Sequence, residues 1–469
     1  MTTSAVEDPQ QPAGASGQTG SERHNERDNV HVARQPLLDR DGMLCGFELK
    51  ARYPLIATPD PATFPDTESA DAAIKAAADA RVAVAKAVIW AVAQPDVSAA
   101  LAGHIAYVDA SRELLFDDTL RLMPASRFML ELPPDLDADD ALVTRVIALH
   151  SRRYRFVLDD VTQPGDTFAK LLPYADAVKI DFRRTQPALL PKLAKVLKAA
   201  GKILIAKGLD SPAEFQTAHD LGFDRFQGYF FARPQTSNLR RASAPRHALL
   251  NLLQLLASDP TVAQLEAELK LNPVLVMHLM RLANSSGLGV GHKVTTLREA
   301  INATGTNRIA RWTQLLLYAD GRKVSLEDDP LLQLAATRAR FMELAIERLP
   351  EAGRDEADAA FLTGVFSFVD AVFGGSLEST LDVLMLTKPI RAAILNREGV
   401  LGVLLSSIEA LERGKWTDVD AACRQLAPLT AQLAPLTAGE IAALALTAAA
   451  WAGVADRSAE AAGLERIED

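Results

Sequence analysis

Acidic residues recur where short apolar runs end in the first half of the chain. Glu48 follows LCGF, Asp109 follows IAYV, Glu131 follows FML, the pair Asp159 and Asp160 follows FVL, and Lys179 and Asp181 lie in AVKIDF. Brought together, such carboxylates would suit Mg²⁺ or Mn²⁺, because these hard ions take oxygen ligands. The same residues also have a plainer reading, in which acids at strand ends cap helices and begin loops. Asp159, Lys179 and Asp181 would then form a hydrogen-bonded polar layer at a rim, while Gln227 and Tyr229 support a last strand. Soft-metal chemistry has little to work with. Cys45 and Cys423 are far apart and form no CxxC pair, and the one His-Asp dipeptide, His219 and Asp220, reads as a solvated helix end.

Widely spaced residues like these need a scaffold that gathers them. From Val30 onward, short apolar runs alternate with amphipathic ones. The strand-like runs are VHVARQPLL, MLCGFELKAR, HIAYVDAS, FMLELPP, FVLDDV, AVKIDF, KILIAKGL and FDRFQGYFF. The helix-like runs between them include the Ala-rich Asp71–Gln94, DADDALVTRVIALHSRR, PALLPKLAKVLKAAG and PAEFQTAHDLG. Strands alternating with helices imply parallel pairing through right-handed crossovers, and about eight strands in this length suit a (β/α)8 barrel, with a doubly wound open sheet as the alternative. In a parallel barrel the C-terminal strand ends share one face, so the acids would converge there.

The pattern changes after Pro234. TSNLRRASAPRH is polar and broken by Pro245, and beyond His247 the runs ALLNLLQLLA, PVLVMHLMRLANSS, LREAINATG and PLLQLAATRARFMELAIERL repeat every 3.6 residues. The reading is therefore a disordered segment 1–29, an α/β domain 30–236, a linker 237–246, an all-helical domain 247–420 and a helical extension 421–469. Asn284, Ser285 and Ser286 close a helix ahead of Gly287, as a turn cap or a polar recognition spot. QLAPLTA occurs twice in tandem, at 425–431 and 432–438, which reads as a small insertion between helices.

At 469 residues, 48% of them apolar and 23% charged, the chain can bury two full cores. A net charge of −10 offers no general attraction to nucleic acid or to an anionic membrane, so a phosphate ligand needs a local site. The first residues lack the basic start and apolar stretch of a secretory signal, and the longest apolar run, Ile441 to Val454, is shorter than the roughly 20 residues of a membrane helix. Together with two reduced cysteines, this sets the expectation of a cytoplasmic protein.

The motifs make the resemblance specific. GFELKAR is similar to the EAL motif of the cyclic di-GMP phosphodiesterases, VLDDV to their DDF motif, AVKIDF to the KxD strand, AKGLDS to the AEGVET turn and FDRFQGYFFARP to the QGY strand. Order and spacing hold from Val30 to about Gln235. The helical run LNPVLVMHLMRLANSSGLG, with VTTLREAINATGTNRIARW and DAAFLTGVFSFVDAVFG, resembles the HDOD domain, and an EAL barrel followed by HDOD is a known signalling architecture. Active EAL enzymes hydrolyse cyclic di-GMP with two divalent ions. The resemblance carries over Glu48, Glu131, Asp159, Asp160, Lys179 and Gln227 unchanged. It also shows departures: Asp109 for an Asn ligand, Lys207 and Asp210 for the two Glu of AEGVET, Val161 and Thr162 for the end of DDFG, and Leu49 with Lys50 for the Ala-Leu of the motif.

These departures imply a vestigial site made of Glu48, Asp109, Glu131, Asp159, Asp160, Lys179, Lys207 and Gln227, without catalysis. No cofactor is expected. Mg²⁺ or Mn²⁺ enters only if the site still functions, and the ligands would then be Glu48, Glu131 and Asp159. In the helical domain, His247, His278 and His292 are not followed by Asp, and Phe366, Ser367 and Phe368 stand where a hydrolytic relative would offer a His, so this half is also read as non-catalytic. The function expected is regulatory, within or near cyclic di-GMP signalling. Other signalling proteins would be engaged through the HDOD surface, and neither nucleic acid nor membrane is expected as a partner. A homodimer is left open. The alternatives are a cyclic di-GMP receptor without hydrolysis, with Arg52, Lys179 and Lys207 as its cations and no stacking aromatic in view, and a weak phosphodiesterase.

Overall fold

The computed structural model describes residues 30–53, 67–162, 165–232, 246–270, 297–316, 330–349, 352–368, 386–429 and 436–460, with a few further positions between 279 and 381. The disordered segment expected at 1–29, the linker except for its last residue, the turn at Asn284–Gly287, His278 and His292 all lie outside the described residues.

The expected strands form β1 His31–Leu38, β2 Leu44–Arg52, β3 Ile105–Asp109, β4 Phe128–Leu132, β5 Arg155–Leu158, β6 Ala177–Asp181, β7 Ile203–Lys207 and β8 Arg225–Gln227. They close into a barrel in chain order, which rules out the open sheet. Helices α1 Thr67–Val92, α2 Pro95–Ala100, α3 Arg112–Phe116, α4 Asp140–Ser151, α5 Asp166–Leu171, α6 Leu190–Ala199 and α7 Pro212–Asp220 connect them.

The expectation of uniformly parallel pairing needs correction. Pairing is parallel from β2 to β8, but β1 runs antiparallel to both β2 and β8. The reason is the link after Leu38. Asp39 accepts the Gly42 N–H at 3.1 Å on its carbonyl, and its side chain accepts the N–H groups of Asp41 and Met43, with Gly42 at φ 75°. So short a link makes a hairpin, whereas a parallel crossover needs a dozen or more residues.

Side chains alternate along a strand with a period of two, and this sorts the barrel interior into layers. Leu37, Tyr107, Met129, Val157, Ala177 and Ile205 fill the lower interior. Gly46 allows this, because a Cβ there would stand 2.9 Å from the Tyr107 ring. Two residues onward from Tyr107, Met129, Val157, Ala177 and Ile205 come Asp109, Glu131, Asp159, Lys179 and Lys207. An apolar plug thus supports a charged layer directly above it.

The second half is helical: α8 Arg246–Leu256, α9 Val262–Lys270, α10 Leu297–Thr304, α11 Thr306–Leu316, α12 Pro330–Ile346, α13 Arg354–Phe366, α14 Lys388–Asn396, α15 Gly399–Glu412, α16 Trp416–Leu429 and α17 Ala438–Glu460. One core joins Leu252, Leu265, Ile301, Ile309, Ala335 and Phe361. Another joins Phe341, Leu404, Ile408, Val419, Leu426 and Ile441 with Ala33 of β1. The boundary drawn at 420/421 falls inside α16, and α17 packs on α12, α2 and β1, so the C-terminal helices are built into the molecule rather than appended to it. Of the duplicated heptapeptide, 425–429 ends α16 and 436–438 leads into α17, while 430–435 lie outside the described residues. Among the described residues, no helix is long and apolar enough to cross a membrane.

Candidate functional site

The charged layer opens at the C-terminal mouth of the barrel. Glu48, Glu131 and Lys179 are fully buried, and Gln227 is 4% exposed. Lys179, read from sequence as part of a rim, is instead the centre: its ammonium group pairs with Glu131, lies 3.2 Å from Glu48 and stands 4.0 Å from Asp159. Gln227 donates to Glu48 and, at 3.2 Å, to Gln35 of β1. Both residues of the last-strand motif thus do more than support the strand, since Tyr229 donates its hydroxyl to Glu412 of α15 at 2.9 Å.

Two more lysines enter from the rim. Lys207 Nζ lies 2.7 Å from Asp160 and 3.3 Å from Asp159. Asp160 is at φ 48°, which breaks the alternation that would send neighbouring side chains to opposite faces and lets both carboxylates face one ammonium. Lys50 pairs with Glu48 and lies 3.2 Å from Asp109. Its role was not read from the sequence. The signal was there: Glu48, Lys50 and Arg52 alternate along β2 and so share a face.

Asp181 is not part of this layer, contrary to the plainer reading. Its carboxylate accepts the backbone N–H groups of Arg183 and Arg184 at 2.8 and 3.3 Å and fixes the turn after β6. Asp210 pairs with Arg183 at the surface, and Arg184 reaches Asp160 at 3.1 Å. Arg52 is engaged by the helical half, with both terminal nitrogens 2.8 Å from the Asp420 carboxylate.

Buried charge sets the protonation pattern. Burial alone would raise the Glu48 carboxyl, but the ammonium groups of Lys179, Lys50 and Lys207 hold it well below the ordinary carboxylate range. Glu131 goes the other way. Burial, reinforced by the charges on Glu48 and Asp159, outweighs Lys179 and pushes it well above that range. Lys179 and Lys207 are both raised: burial opposes their charge, and the surrounding carboxylates more than offset it.

One oxygen from each of Glu48, Asp109, Glu131 and Asp159 lies within 4.8 Å of the others. Glu131 Oε2, Asp159 Oδ1 and Gln227 Oε1 are buried without a hydrogen-bond donor and offer oxygens to a single cation, which would share Glu48, Glu131 and Asp109 with the ammonium groups of Lys179 and Lys50. A second cation beside Asp159 and Asp160 does not fit, because Lys207 already bridges that pair.

The helical half has its own buried charges. Arg338, 1% exposed, donates to Glu412 at 2.6 Å, Glu409 at 3.2 Å and Ser367 at 3.0 Å, and lies 3.7 Å over the Phe368 ring. Arg397 also takes Glu409, at 2.9 Å. Gly364 permits this packing, since a Cβ there would meet Ala339 Cα at 2.5 Å. Ser367 and Phe368, noted as standing in place of a histidine, serve as partners of a buried arginine.

Two family models match the chain: "EAL domain" over residues 24–234 and "HDOD domain" over residues 244–367. Uncharacterized protein YuxH of Bacillus subtilis is 24% identical over 393 residues, covering 82% of this chain and 91% of the relative. Cyclic di-GMP phosphodiesterase CdgJ of Vibrio cholerae is 25% identical over 404 residues, covering 85% and 88%. Among solved structures, the PaMucR phosphodiesterase in complex with c-di-GMP aligns with a TM-score of 0.34 at 18% identity, over 44% of this chain and 97% of that one. An EAL domain protein from Listeria monocytogenes aligns with a TM-score of 0.31 at 17% identity, over 47% and 94%.

Proposed function

Since this chain is an EAL domain followed by an HDOD domain, we propose that it is a regulatory protein of cyclic di-GMP signalling whose barrel does not hydrolyse the dinucleotide. The observation that carries the reading is Lys207, whose ammonium stands between Asp159 and Asp160. Two-metal hydrolysis needs cations on both sides of the shared carboxylate, and a bound ammonium polarises no water as a divalent ion does. A single ion on Glu48, Asp109, Glu131 and Asp159 would supply positive charge for holding a phosphate. Recognition of cyclic di-GMP without turnover is the form of this reading that the remaining cation set favours. Tyr53, 42% exposed and next in the chain after Arg52 at the end of β2, is a rim aromatic on which a base could stack.

The helical half is the output module in this reading, engaging other signalling proteins. Its buried charges support this, because Glu409 and Glu412 are neutralised by Arg338 and Arg397 rather than being left as ligands. Weak phosphodiesterase activity is the second reading. It is favoured by the intact four-carboxylate set and by the likeness, over most of both chains, to the Vibrio cholerae protein named as a cyclic di-GMP phosphodiesterase. Incubating the purified chain with cyclic di-GMP and Mn²⁺, while titrating the same dinucleotide calorimetrically, separates them. Binding without linear product supports the receptor; product that vanishes in Glu48→Ala establishes the enzyme.

A further inference from the structure

The segment joining α15 to α16 lies across one sector of the barrel mouth. Glu412 accepts the Tyr229 hydroxyl just beyond β8, and the Arg413 guanidinium lies 5.2 Å from the centre of the Tyr229 ring. Gly414, at φ 66°, is so close to the barrel that a Cβ would stand 3.3 Å from Gln35 Nε2 and 3.6 Å from Lys50 Cγ. The Trp416 ring lies 6.4 Å from His31 and 5.6 Å from the Arg52 guanidinium. Asp420 completes the run with its two-pronged ion pair to Arg52. Residues 412–420 thus touch the chain just past β8, then β1 and β2, and two of the residues they touch, Gln35 and Lys50, bond directly to side chains of the charged layer.

We propose that this segment is an intramolecular cap, and that Asp420 competes with an anionic phosphodiester for Arg52. The chemistry of the competitors is matched. Arg52 holds a carboxylate in fork geometry, and a phosphate offers the same paired oxygens. Arg52 is on the face of β2 that also carries Glu48 and Lys50, so an anion drawn to that face arrives where Asp420 is seated. The pair is half-exposed, at 35% and 33% for the two side chains, so it is weak enough to exchange. Release of α16 on one side and anion binding on the other would then be two sides of a single reciprocal equilibrium. A signal at the barrel would reach the C-terminal helices as an uncapping.

The proposal rests on the reading that the barrel takes cyclic di-GMP, and the test keeps the two apart. Asp420→Asn and Arg52→Gln are compared with the full-length wild type in two measurements, calorimetric affinity for cyclic di-GMP and amide hydrogen exchange over 412–424. Breaking the pair from either side should speed exchange in that segment. Affinity should move in opposite directions, with Asp420→Asn tightening the dinucleotide by about two- to fivefold, the range of an exposed ion pair, and Arg52→Gln weakening it. A purely structural contact would shift both affinities the same way, and that result overturns the proposal. Unchanged exchange in both variants overturns it as well. If neither wild type nor Asp420→Asn binds the dinucleotide, the receptor reading fails, and the competition is then decided by inorganic pyrophosphate, which should speed exchange over 412–424 in the wild type but not in Arg52→Gln; no effect in the wild type overturns the cap.

Discussion

Lys207 and Asp160 approach to 2.7 Å across the barrel mouth, and the same ammonium reaches Asp159 at 3.3 Å. A monovalent cation fixed to the chain thus stands where two carboxylates would otherwise share a divalent one. Unlike an ion, it cannot dissociate.

The first expected outcome is catalytic silence. With Mg²⁺ or Mn²⁺, the full-length protein should release no linear dinucleotide from cyclic di-GMP above background. A product trace abolished by Glu48→Ala would sink the idea, because Glu48 belongs only to the barrel site.

Reversing the charge at the rim should restore cation affinity. Two unit charges about 4 Å apart interact by roughly 4 kcal/mol at an effective dielectric of 20, and Lys207→Glu removes a repulsion toward a divalent ion while adding an attraction. With solvent screening at a side chain 22% exposed, Mn²⁺ binding should still tighten by about tenfold or more, even if activity does not return. Titration at constant ionic strength checks this, and equal affinities in the two proteins would show that Lys207 does not control the site.

Glu48 and Glu131 should respond to pH with opposite signs. Glu48 titrates below its ordinary value of 4.5 in the folded chain, so the stability it contributes is present above that value and lost as pH falls through its folded one. Glu131 titrates above 4.5, so its contribution is complete below that value and lost as pH rises through its folded one. At neutral pH, Glu48→Gln should therefore cost about 2–3 kcal/mol by leaving buried ammonium charge unpaired, a deficit that shrinks on acidification. Glu131→Gln mimics the protonated side chain and should gain on wild type as pH rises from 4.5. Urea unfolding of the three proteins at several pH values measures both trends, and parallel profiles would contradict the assignment.

Arg338 should dominate the stability of the helical half. Arg338→Ala leaves Glu412 buried beside Tyr229 and strips one partner from Glu409, so a loss of about 3–5 kcal/mol is expected. Tyr229→Phe removes one hydrogen bond and should cost about 1–2 kcal/mol. Denaturant melts give both numbers. A loss below 1 kcal/mol for Arg338→Ala would mean that water reaches the cluster.

Local pattern along the chain determines much of this protein. Eight apolar runs spaced by amphipathic ones determined β1 to β8, because burial of alternate side chains and the length of each crossover leave few other ways to pair them. The acids at 48, 109, 131, 159 and 160 were legible as a converging set for the same reason. Relations that depend on two distant segments were not legible. The hairpin that turns β1 antiparallel hid in a five-residue link, Asp39–Met43, that reads only as a turn. Lys50 looked like a motif substitution until the alternation of β2 placed it beside Glu48 and Asp109. Arg52 reads from its own strand as a cation open to a ligand, because nothing local points to Asp420, 368 positions away. The Arg338 cluster is invisible for the same reason, since its members come from α12, α15, the turn after α13, the residue after α14 and the chain just past β8. Periodicity is a local property of the chain, whereas charge neutralisation inside a core is decided by whichever groups the packed elements bring within about 4 Å.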